Sequence, residues 1–254
     1  QLWAWWAQEI PYNFAGSPLW NGVLTGQASG FTGEMPFQNT IDNFETRWGD
    51  PLNTQADRDK ATTLGHYNEQ DPYVDRDPRF YIDVIYNGAP VTGFPNAEIF
   101  HYTDLAGVVK WGWYQPLTTV LAVTHTGYYT AKRWSGASKN NQILTQLTDP
   151  LIRLAEVYLN YAEAANEAYG PNTPAPGATL SAVQAINIIR ARVGQVDVLP
   201  EFTTTTEIFR ERIKNERNVE LAFEGGHYRH DILRWMEAPA KFGGTLYNMD
   251  IERV

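Results

Sequence analysis

The sequence from residue 149 onward carries the three-to-four-residue spacing of apolar positions that predicts α-helices. In the first segment, 149–170, polar side chains fall on one narrow stripe, and apolar and alanine side chains cover the rest of the circumference. Asp149 and Pro150 are residue types favoured at a helix N-cap and first position, and Gly170-Pro171 is typical of a helix end. We therefore expect an inner helix of a helical stack, buried over most of its girth.

Two longer helices and a short one are predicted to follow. The second helix is expected to begin near Thr179 or Ser181 and to end at Gly194, a residue that suits the left-handed position after a helix. The third helix is predicted to begin at the capping box Thr204-x-x-Glu207 and to break at Gly225-Gly226. A short last helix is predicted near Asp231–Met236. Helix pairs of this kind resemble tetratricopeptide units, although no clean fixed-period repeat is present.

The first 148 residues have a different character, with frequent Gly and Pro and poor helical periodicity. Aromatic residues are dense in residues 1–48, separated by Gly and Asn. The run 79–86 alternates and is rich in β-branched and aromatic residues, which predicts a strand, and 117–124 is a second strand candidate. The predicted fold is mainly α, with tetratricopeptide-like helical hairpins (149–254) packed in the same structural domain with a loop-rich, aromatic-rich region (1–148) that carries a few short β-strands.

Composition narrows the possible functions. The net charge of −9 argues against a nucleic-acid partner, because neutralising phosphates needs a basic surface. The sequence has no Cys, which excludes disulfides, thiolate chemistry and lipid attachment to Cys within these residues. No apolar run is long enough to cross a bilayer, and no signal peptide is recognisable at Gln1-Leu2-Trp3.

Six short motifs in a fixed order make up the most informative pattern in the chain. They are Asp77-Pro78-Arg79, 127–133 (GYYTAKR), 153–164 (RLAEVYLNYAEA), 187–194 (NIIRARVG), 216–225 (ERNVELAFEG) and 231–235 (DILRW). Each motif alone is weak, but six in order are specific, and together they resemble the signature of the SusD/RagB family. The resemblance covers roughly residues 77–235.

The resemblance implies a function and a location. Members of this family are surface lipoproteins of the Bacteroidetes outer membrane that bind nutrient glycans without catalysis. The implied partner is a SusC-like TonB-dependent transporter, over which the binder sits as a lid. Membrane contact is expected only through a lipid anchor that these residues do not contain. The sequence also departs from the family: an expected Arg after Gly225 is out of register, and the family's N-terminal helical part and lipid-bearing Cys are missing, so we interpret the chain as part of a longer protein.

Aromatic side chains in the first region are candidates for a glycan site. Sugar rings have apolar faces on which Trp and Tyr stack, and neighbouring polar side chains bind the hydroxyls. The candidate ligand-binding residues are His101, Tyr102, Trp111, Trp113 and Tyr114. Gly107 and Gly112 favour a loop here, and loops commonly carry binding residues. The alternative is that these aromatics are core residues under irregular backbone.

The charged residues of the motifs are interpreted as structural. Asp77 and Arg79 are expected to form an ion pair that locks a turn, and Glu216, Glu220 and Glu224 to lie on one salt-bridged helix face with Arg212, Arg217 and Arg229 available as partners. The residues assigned structural roles are Asp77, Arg79, Glu156, Arg190, Arg217, Glu220, Glu224, Asp231 and Arg234. Zinc binding by His227, His230 and Asp231 has non-specific spacing, so we expect no metal and no cofactor.

The function predicted from the sequence is non-enzymatic capture of an oligosaccharide or polysaccharide at the outer-membrane surface, with delivery to the transporter. Capture of peptides or other nutrients by the same kind of lid protein, and a tetratricopeptide-type protein-interaction scaffold, stay open as alternatives. A glycoside hydrolase is a third alternative, because two carboxylates facing each other across a cleft suffice for that chemistry. No catalytic residue is assigned.

Overall fold

The computed structural model describes residues 35–91, 96–112, 124–132 and 148–253, together with the backbone of short strands at 3–6, 10–11 and 144–145. The helices are α1 (Gln38–Ile41), α2 (Gln55–Thr63), α3 (Pro78–Asp83), α4 (Leu154–Tyr169), α5 (Ala182–Val193), α6 (Thr206–Glu220), α7 (His227–Arg234) and α8 (Ala238–Phe242), with a 3-10 helix at Pro200–Thr203. The strands are β1 (Trp3–Trp6), β2 (Ile10–Pro11), β3 (Val84–Ile85), β4 (His101–Thr103), β5 (Val109–Trp111), β6 (Tyr129–Thr130), β7 (Leu144–Thr145) and β8 (Thr148–Ile152). The predicted mainly α fold is confirmed.

The chain forms two compact units, each assembled from three segments. Unit 1 comprises residues 1–4, 42–80 and 150–244, and unit 2 comprises 5–41, 81–149 and 245–254. One of the points where the chain passes between the units lies between Asp149 and Pro150.

Unit 1 contains the helical hairpins. Helix α4 packs against both α5 and α6. Their shared core consists of Leu159, Ala162, Ala165, Ala182, Ala185, Ile186, Ile189, Val198, Phe209, Ile213 and Leu221. The alanines on the facing sides of α4 and α5 leave little side chain between the helices and allow close approach. Ser181 caps α5 in a capping box with Gln184, and Gly194 ends it in the left-handed conformation, as predicted.

Several predicted boundaries are wrong in unit 1. Helix α4 begins at Leu154 and not after Asp149, because 148–152 is extended and neighbours β1 as strand β8. The N-cap of α6 is Thr205, whose side chain accepts a hydrogen bond from the Ile208 N–H, and Thr204 is not the cap. The helix ends at Glu220, before the predicted glycine break, and α7 starts at His227, four residues earlier than expected.

The prediction that α4 is buried over most of its girth is also wrong. Its buried residues are Leu159, Ala162, Ala165 and Asn166, which lie on one face. Leu154 and Val157 are 52% and 42% exposed, so a second apolar stripe beside that face is uncovered in this chain. An apolar stripe is necessary for burial, but burial also requires a neighbouring element at that position.

Residues 79–86, predicted as one strand, are mostly helical. Asp77 precedes Pro78, the first residue of α3, and its carboxylate accepts a hydrogen bond from the Arg79 N–H at 2.9 Å. This Asp-Pro start favours a helix, and only Val84–Ile85 continues as strand β3. The other predicted strand, 117–124, lies outside the described residues except for Thr124.

Unit 2 is held by short antiparallel pairings and a small core. Strand β3 pairs with β6, placing Ile85 opposite Tyr129, and β4 pairs with β5 as a hairpin. The core contains Ile85, Ala89, Val91, Ala97, Ile99 and Tyr129.

The segment 245–253 runs across unit 2 and is named here the C-terminal strap. The Gln38 N–H donates to the Tyr247 carbonyl, the Met249 N–H to the Thr126 carbonyl and the His101 N–H to the Ile251 carbonyl. Gly127 lies against the strap with φ +83°, and a side chain at this position would overlap the Met249 carbonyl oxygen. The strap therefore connects three parts of unit 2 that are distant in the sequence.

Candidate functional site

The β4–β5 hairpin of unit 2 brings two of the predicted glycan-binding residues together. His101 lies directly opposite Trp111, and the centroids of their rings are 5.3 Å apart. Directly opposed residues of an antiparallel pair point to the same face, so these two rings share one side of the hairpin. Trp111 is half-buried and its Nε1 is buried without a hydrogen bond to the described residues, which leaves the ring itself as the part that could contact a ligand.

Tyr102 occupies the opposite face of the same hairpin. It is opposed to Lys110, and its ring lies 6.3 Å from that of Phe100. Strand alternation therefore separates Tyr102 from His101 and Trp111, although they are close in sequence. Trp113 and Tyr114 lie outside the described residues.

A carboxylate that sequence reasoning did not single out lies beside His101. The Oδ1 atom of Asp250, in the C-terminal strap, is 3.0 Å from His101 Nε2. Its side chain is 84% exposed, whereas that of His101 is 20% exposed. The arrangement combines an aromatic ring, an imidazole and an accessible hydrogen-bond acceptor. No sequence signal indicated this contact, because the two residues are 149 positions apart.

The tip of the hairpin is shaped by Asp104. Its carboxylate accepts hydrogen bonds from the Val108 and Ala106 N–H groups, both at 2.9 Å, and these bonds lower the pKa of Asp104. Gly107 has φ +77°, a conformation that suits glycine in a tight turn. The turn sets the register that places His101 opposite Trp111.

The charged motif residues form a separate, buried network in unit 1. Arg79 Nη2 contacts Asp77 Oδ2 at 2.6 Å, and Arg79 Nη1 contacts Glu216 Oε1 at 2.5 Å and Glu220 Oε2 at 3.1 Å. Arg190 contacts the other oxygen of Glu216 at 3.0 Å. All five side chains are at most 5% exposed. Burial disfavours charge on Glu216, but the Arg79 and Arg190 guanidinium groups outweigh it and lower its pKa.

The network extends through further arginines. Arg153 Nη1 contacts Glu220 Oε1 at 2.6 Å and its Nε contacts Glu224 Oε2 at 2.7 Å, while Arg192 reaches Glu220 Oε1 at 2.9 Å. Arg190 Nη2 contacts Glu45 Oε2 at 2.7 Å. Glu216, Glu220 and Glu224 are therefore ion-paired, but with arginines from other elements and not with Arg217, which had been considered as a partner. Glu224 lies beyond the end of α6, so the predicted single helix face holds only for Glu216 and Glu220.

Arg217 anchors α7 instead. Its Nε and Nη2 atoms contact the two oxygens of Asp231 at 2.7 Å and 3.0 Å, and Arg234 Nε reaches the same Asp231 at 2.9 Å. Arg234 also pairs with Glu163 on α4. Asp231 is thus engaged by two guanidinium groups, which makes it a poor ligand for the zinc site considered above.

The described residues offer little further chemistry. Glu156 has no ion-pair partner in the part of the chain that the structure describes. Across residues 35–91, 96–112, 124–132 and 150–253, no group of three or more His, Asp or Glu side chains could hold a metal ion. No helix among the described residues combines the length and apolar character needed to span a membrane.

Comparisons with known proteins agree with this architecture. The chain is 36% identical over 117 residues to a SusD-like protein P25 from Formosa agariphila, a match that covers 42% of this chain and 19% of that protein. Among solved structures, it is similar to a SusD-like protein from Bacteroides fragilis, with a TM-score of 0.64 and 26% identity over 94% of this chain and 44% of the other. A SusD-like carbohydrate binding protein from the same species gives a TM-score of 0.57 and 26% identity over 82% of this chain and 37% of the other.

The relatives match only part of their own length, whereas a family model matches nearly all of this chain. The chain spans less than half the length of each of these relatives. The SusD family model matches residues 6–254, which is nearly the full chain. The six motifs, the tetratricopeptide-like hairpins of unit 1 and this match lead to one conclusion: the chain belongs to the SusD family.

Proposed function

We propose that this chain is part of a non-enzymatic protein that captures a glycan at the outer-membrane surface and delivers it to a SusC-like TonB-dependent transporter. Membership of the SusD family supports the proposal, as does the similar structure of a protein named as carbohydrate binding. The motif charges, which could otherwise suggest acid–base chemistry, are largely buried in ion pairs in unit 1.

The observation that carries the proposal is the shared face of His101 and Trp111. Their rings are 5.3 Å apart, and the exposed carboxylate of Asp250 lies 3.0 Å from His101. An indole offers a flat apolar surface for the axial C–H groups of a pyranose ring, and the imidazole and carboxylate can bind its hydroxyls. The proposed contact residues are therefore Trp111, His101 and Asp250.

The test uses the full-length protein and two faces of one hairpin. Binding of maltohexaose, xylohexaose, cellohexaose, laminarihexaose and mannohexaose is measured by calorimetry for the wild type, Trp111→Ala, His101→Ala and Tyr102→Ala. The first two variants should weaken binding about tenfold or more, as expected for an aromatic anchor, and Tyr102→Ala should change it less than about threefold. Tyr102→Ala is the matched control because it removes an aromatic from the other face.

The possible results separate the competing functions. Cleavage products after long incubation would overturn the non-enzymatic assignment. A panel of peptides is titrated in the same way, and binding of a peptide but of none of the sugars would favour peptide capture. Equal losses in all three variants would show that the hairpin contributes through folding and not through one face. The transporter part of the proposal requires the full-length protein to co-purify with a TonB-dependent transporter from its native outer membrane.

A further inference from the structure

The C-terminal strap extends the β4–β5 hairpin by a third strand. The His101 N–H donates to the Ile251 carbonyl at 2.9 Å, and the Arg253 N–H donates to the His101 carbonyl at 2.8 Å. These two hydrogen bonds place Glu252 beside His101 in a parallel pairing. Paired residues of neighbouring strands point to the same side of a sheet, so Glu252 lies on the face that carries His101 and Trp111.

Two exposed carboxylates share this face. Residues two apart in an extended strand point the same way, so Asp250 lies on the same side of the strap as Glu252. The 3.0 Å contact between Asp250 Oδ1 and His101 Nε2 agrees with that placement. The Asp250 side chain is 84% exposed, and Glu252 is also exposed and has no ion pair with the described residues. A ligand that contacts His101 therefore approaches two negative charges.

The Lys and Arg side chains that the structure describes in unit 2 do not neutralise these charges. Lys110 occupies the opposite face of the hairpin. Arg253 occupies the opposite face of the strap, and its guanidinium carbon is 5.4 Å from the Phe100 ring centroid. Lys132 forms an ion pair with Asp83 at 3.2 Å. Strand alternation thus separates acidic side chains on one face of the three strands from basic side chains on the other.

We propose that the carboxylates of Asp250 and Glu252 make this face selective for uncharged glycans over glycans that carry carboxylate or sulfate groups. A sugar hydroxyl can donate to either carboxylate, whereas an anionic substituent offers only acceptor oxygens and is repelled. Both carboxylates are exposed to water, so the repulsion is modest, about fivefold in affinity for an anionic group about 4 Å from Asp250. This inference rests on the proposed glycan-binding function of the same face.

The test compares each sugar with its own anionic form, using the full-length protein and calorimetry. The hexose-based hexasaccharides of the panel are paired with derivatives whose C6 alcohols are oxidised to carboxylates, and xylohexaose is paired with its glucuronic-acid-branched form. Titrations are made at about pH 8, where carboxylates are ionised and imidazoles are ordinarily neutral. The proteins are the wild type, Asp250→Asn, Glu252→Gln and the control Asp197→Asn. Asp197 is an exposed carboxylate of unit 1, so the control changes the net charge by the same amount in the other unit.

The measured quantity is the ratio of the affinity for the neutral form to the affinity for the carboxylated form. We expect the wild type to prefer the neutral form. The ratio should fall about fivefold in Asp250→Asn, about twofold in Glu252→Gln, whose charge is farther from His101, and not at all in Asp197→Asn. The screening length shortens from about 10 Å in about 0.1 M salt to about 3 Å in about 1 M salt, so both falls should largely disappear at the higher concentration. A fall that persists there would come from a lost contact and would overturn the inference.

The results distinguish this inference from the function on which it rests. If the wild type binds the two forms equally or prefers the carboxylated form, or if Asp250→Asn leaves the ratio unchanged, the selectivity is refuted and glycan capture stands. A carboxylated form that binds neither the wild type nor Asp250→Asn counts as an unchanged ratio. If no sugar of either kind binds the wild type, both proposals are refuted. A preference for the neutral form that Asp250→Asn reduces at unchanged thermal stability, with Asp197→Asn silent, supports the selectivity.

Discussion

Replacing Arg79 with methionine tests whether the motif charges of unit 1 are a stabilising network. Methionine keeps most of the length and apolar volume of arginine but removes the cation that contacts Asp77, Glu216 and Glu220. These carboxylates are 1–2% exposed, so water cannot replace the lost partner. Removing one partner from a buried ion pair costs about 3–5 kcal/mol because the remaining charge stays uncompensated.

The size of the effect follows from how the charges are shared. Glu216 retains Arg190, and Glu220 retains Arg153 and Arg192, whereas Asp77 has no other ion pair with the residues that the structure describes. We therefore expect a loss at the lower end, about 3 kcal/mol. With a urea m-value of about 2–3 kcal/mol/M, the unfolding midpoint should fall by about 1–1.5 M.

The loss should depend on pH in a defined direction. The folded-state pKa of Glu216 is lowered below its ordinary value of 4.5, so its contribution to stability is present above that pH and is lost as the pH falls through the lowered value. Arg79→Met removes part of the cause of this shift. The difference in stability between wild type and variant should therefore be largest near neutral pH and shrink below about pH 4.

A double-mutant cycle with Glu216→Gln isolates the interaction. In the Arg79→Met background, Glu216→Gln removes a carboxylate that has lost a partner, so the combined loss should be smaller than the sum of the single losses by more than about 0.5 kcal/mol. Additive losses of unfolding free energy, or a loss below about 1 kcal/mol for Arg79→Met alone, would refute this reasoning. The network would then contribute no more to stability than exposed salt bridges do.

Further substitutions at four positions test the packing of α4, the cap of α5 and the close approach of Gly127 to the C-terminal strap. Leu159→Ala, at a fully buried position of α4, should lower the free energy of unfolding by about 2–5 kcal/mol. Val157→Ala, on the exposed stripe of the same helix, should change it by no more than about 0.5 kcal/mol. Equal effects of the two variants in urea unfolding would contradict the one-sided burial of α4. Ser181→Ala should remove the side-chain cap of α5 and lower the melting temperature, measured by circular dichroism, by about 2–4 °C. Ser181→Thr keeps a hydroxyl that can cap the helix, so its melting temperature should stay close to that of the wild type. Gly127→Ala should cost about 2 kcal/mol or more, because it combines a positive φ with an overlap against Met249, and an unchanged melting temperature would disprove that close approach.

The features that were predicted correctly depend on signals close together in the sequence. Ser181, with Gln184 three residues later, and Gly194 supply both ends of α5 through local hydrogen bonds and backbone conformation. The predicted start of α4 was wrong because Asp149 and Pro150 belong to strand β8, which neighbours β1 at residues 3–6. Helix signals in the local sequence cannot reveal that the same residues will pair as a strand with a segment more than 140 residues away.

The same limit applies to the candidate site and to the ion network. The composition of 101–114 indicated a glycan-binding segment, but only the hairpin register shows that His101 and Trp111 share a face and Tyr102 does not. Asp250 reaches His101 across 149 positions. Likewise, the carboxylates of α6 could be recognised as a structural face, yet their partner Arg79 is 137 positions from Glu216.

The C-terminal strap has a consequence for the order of events during synthesis. The Asn39 side chain donates to the Thr245 carbonyl 206 residues later, and at about 5–20 residues per second the ribosome needs about 10–40 s to make that stretch. Over the same interval it completes residues 150–244, whose helices make contacts closer in sequence and can fold as they emerge. The strap contacts of unit 2 therefore form only after residues 150–244 have been made, and until then the backbone groups of Gln38, His101 and Thr126 lack these partners.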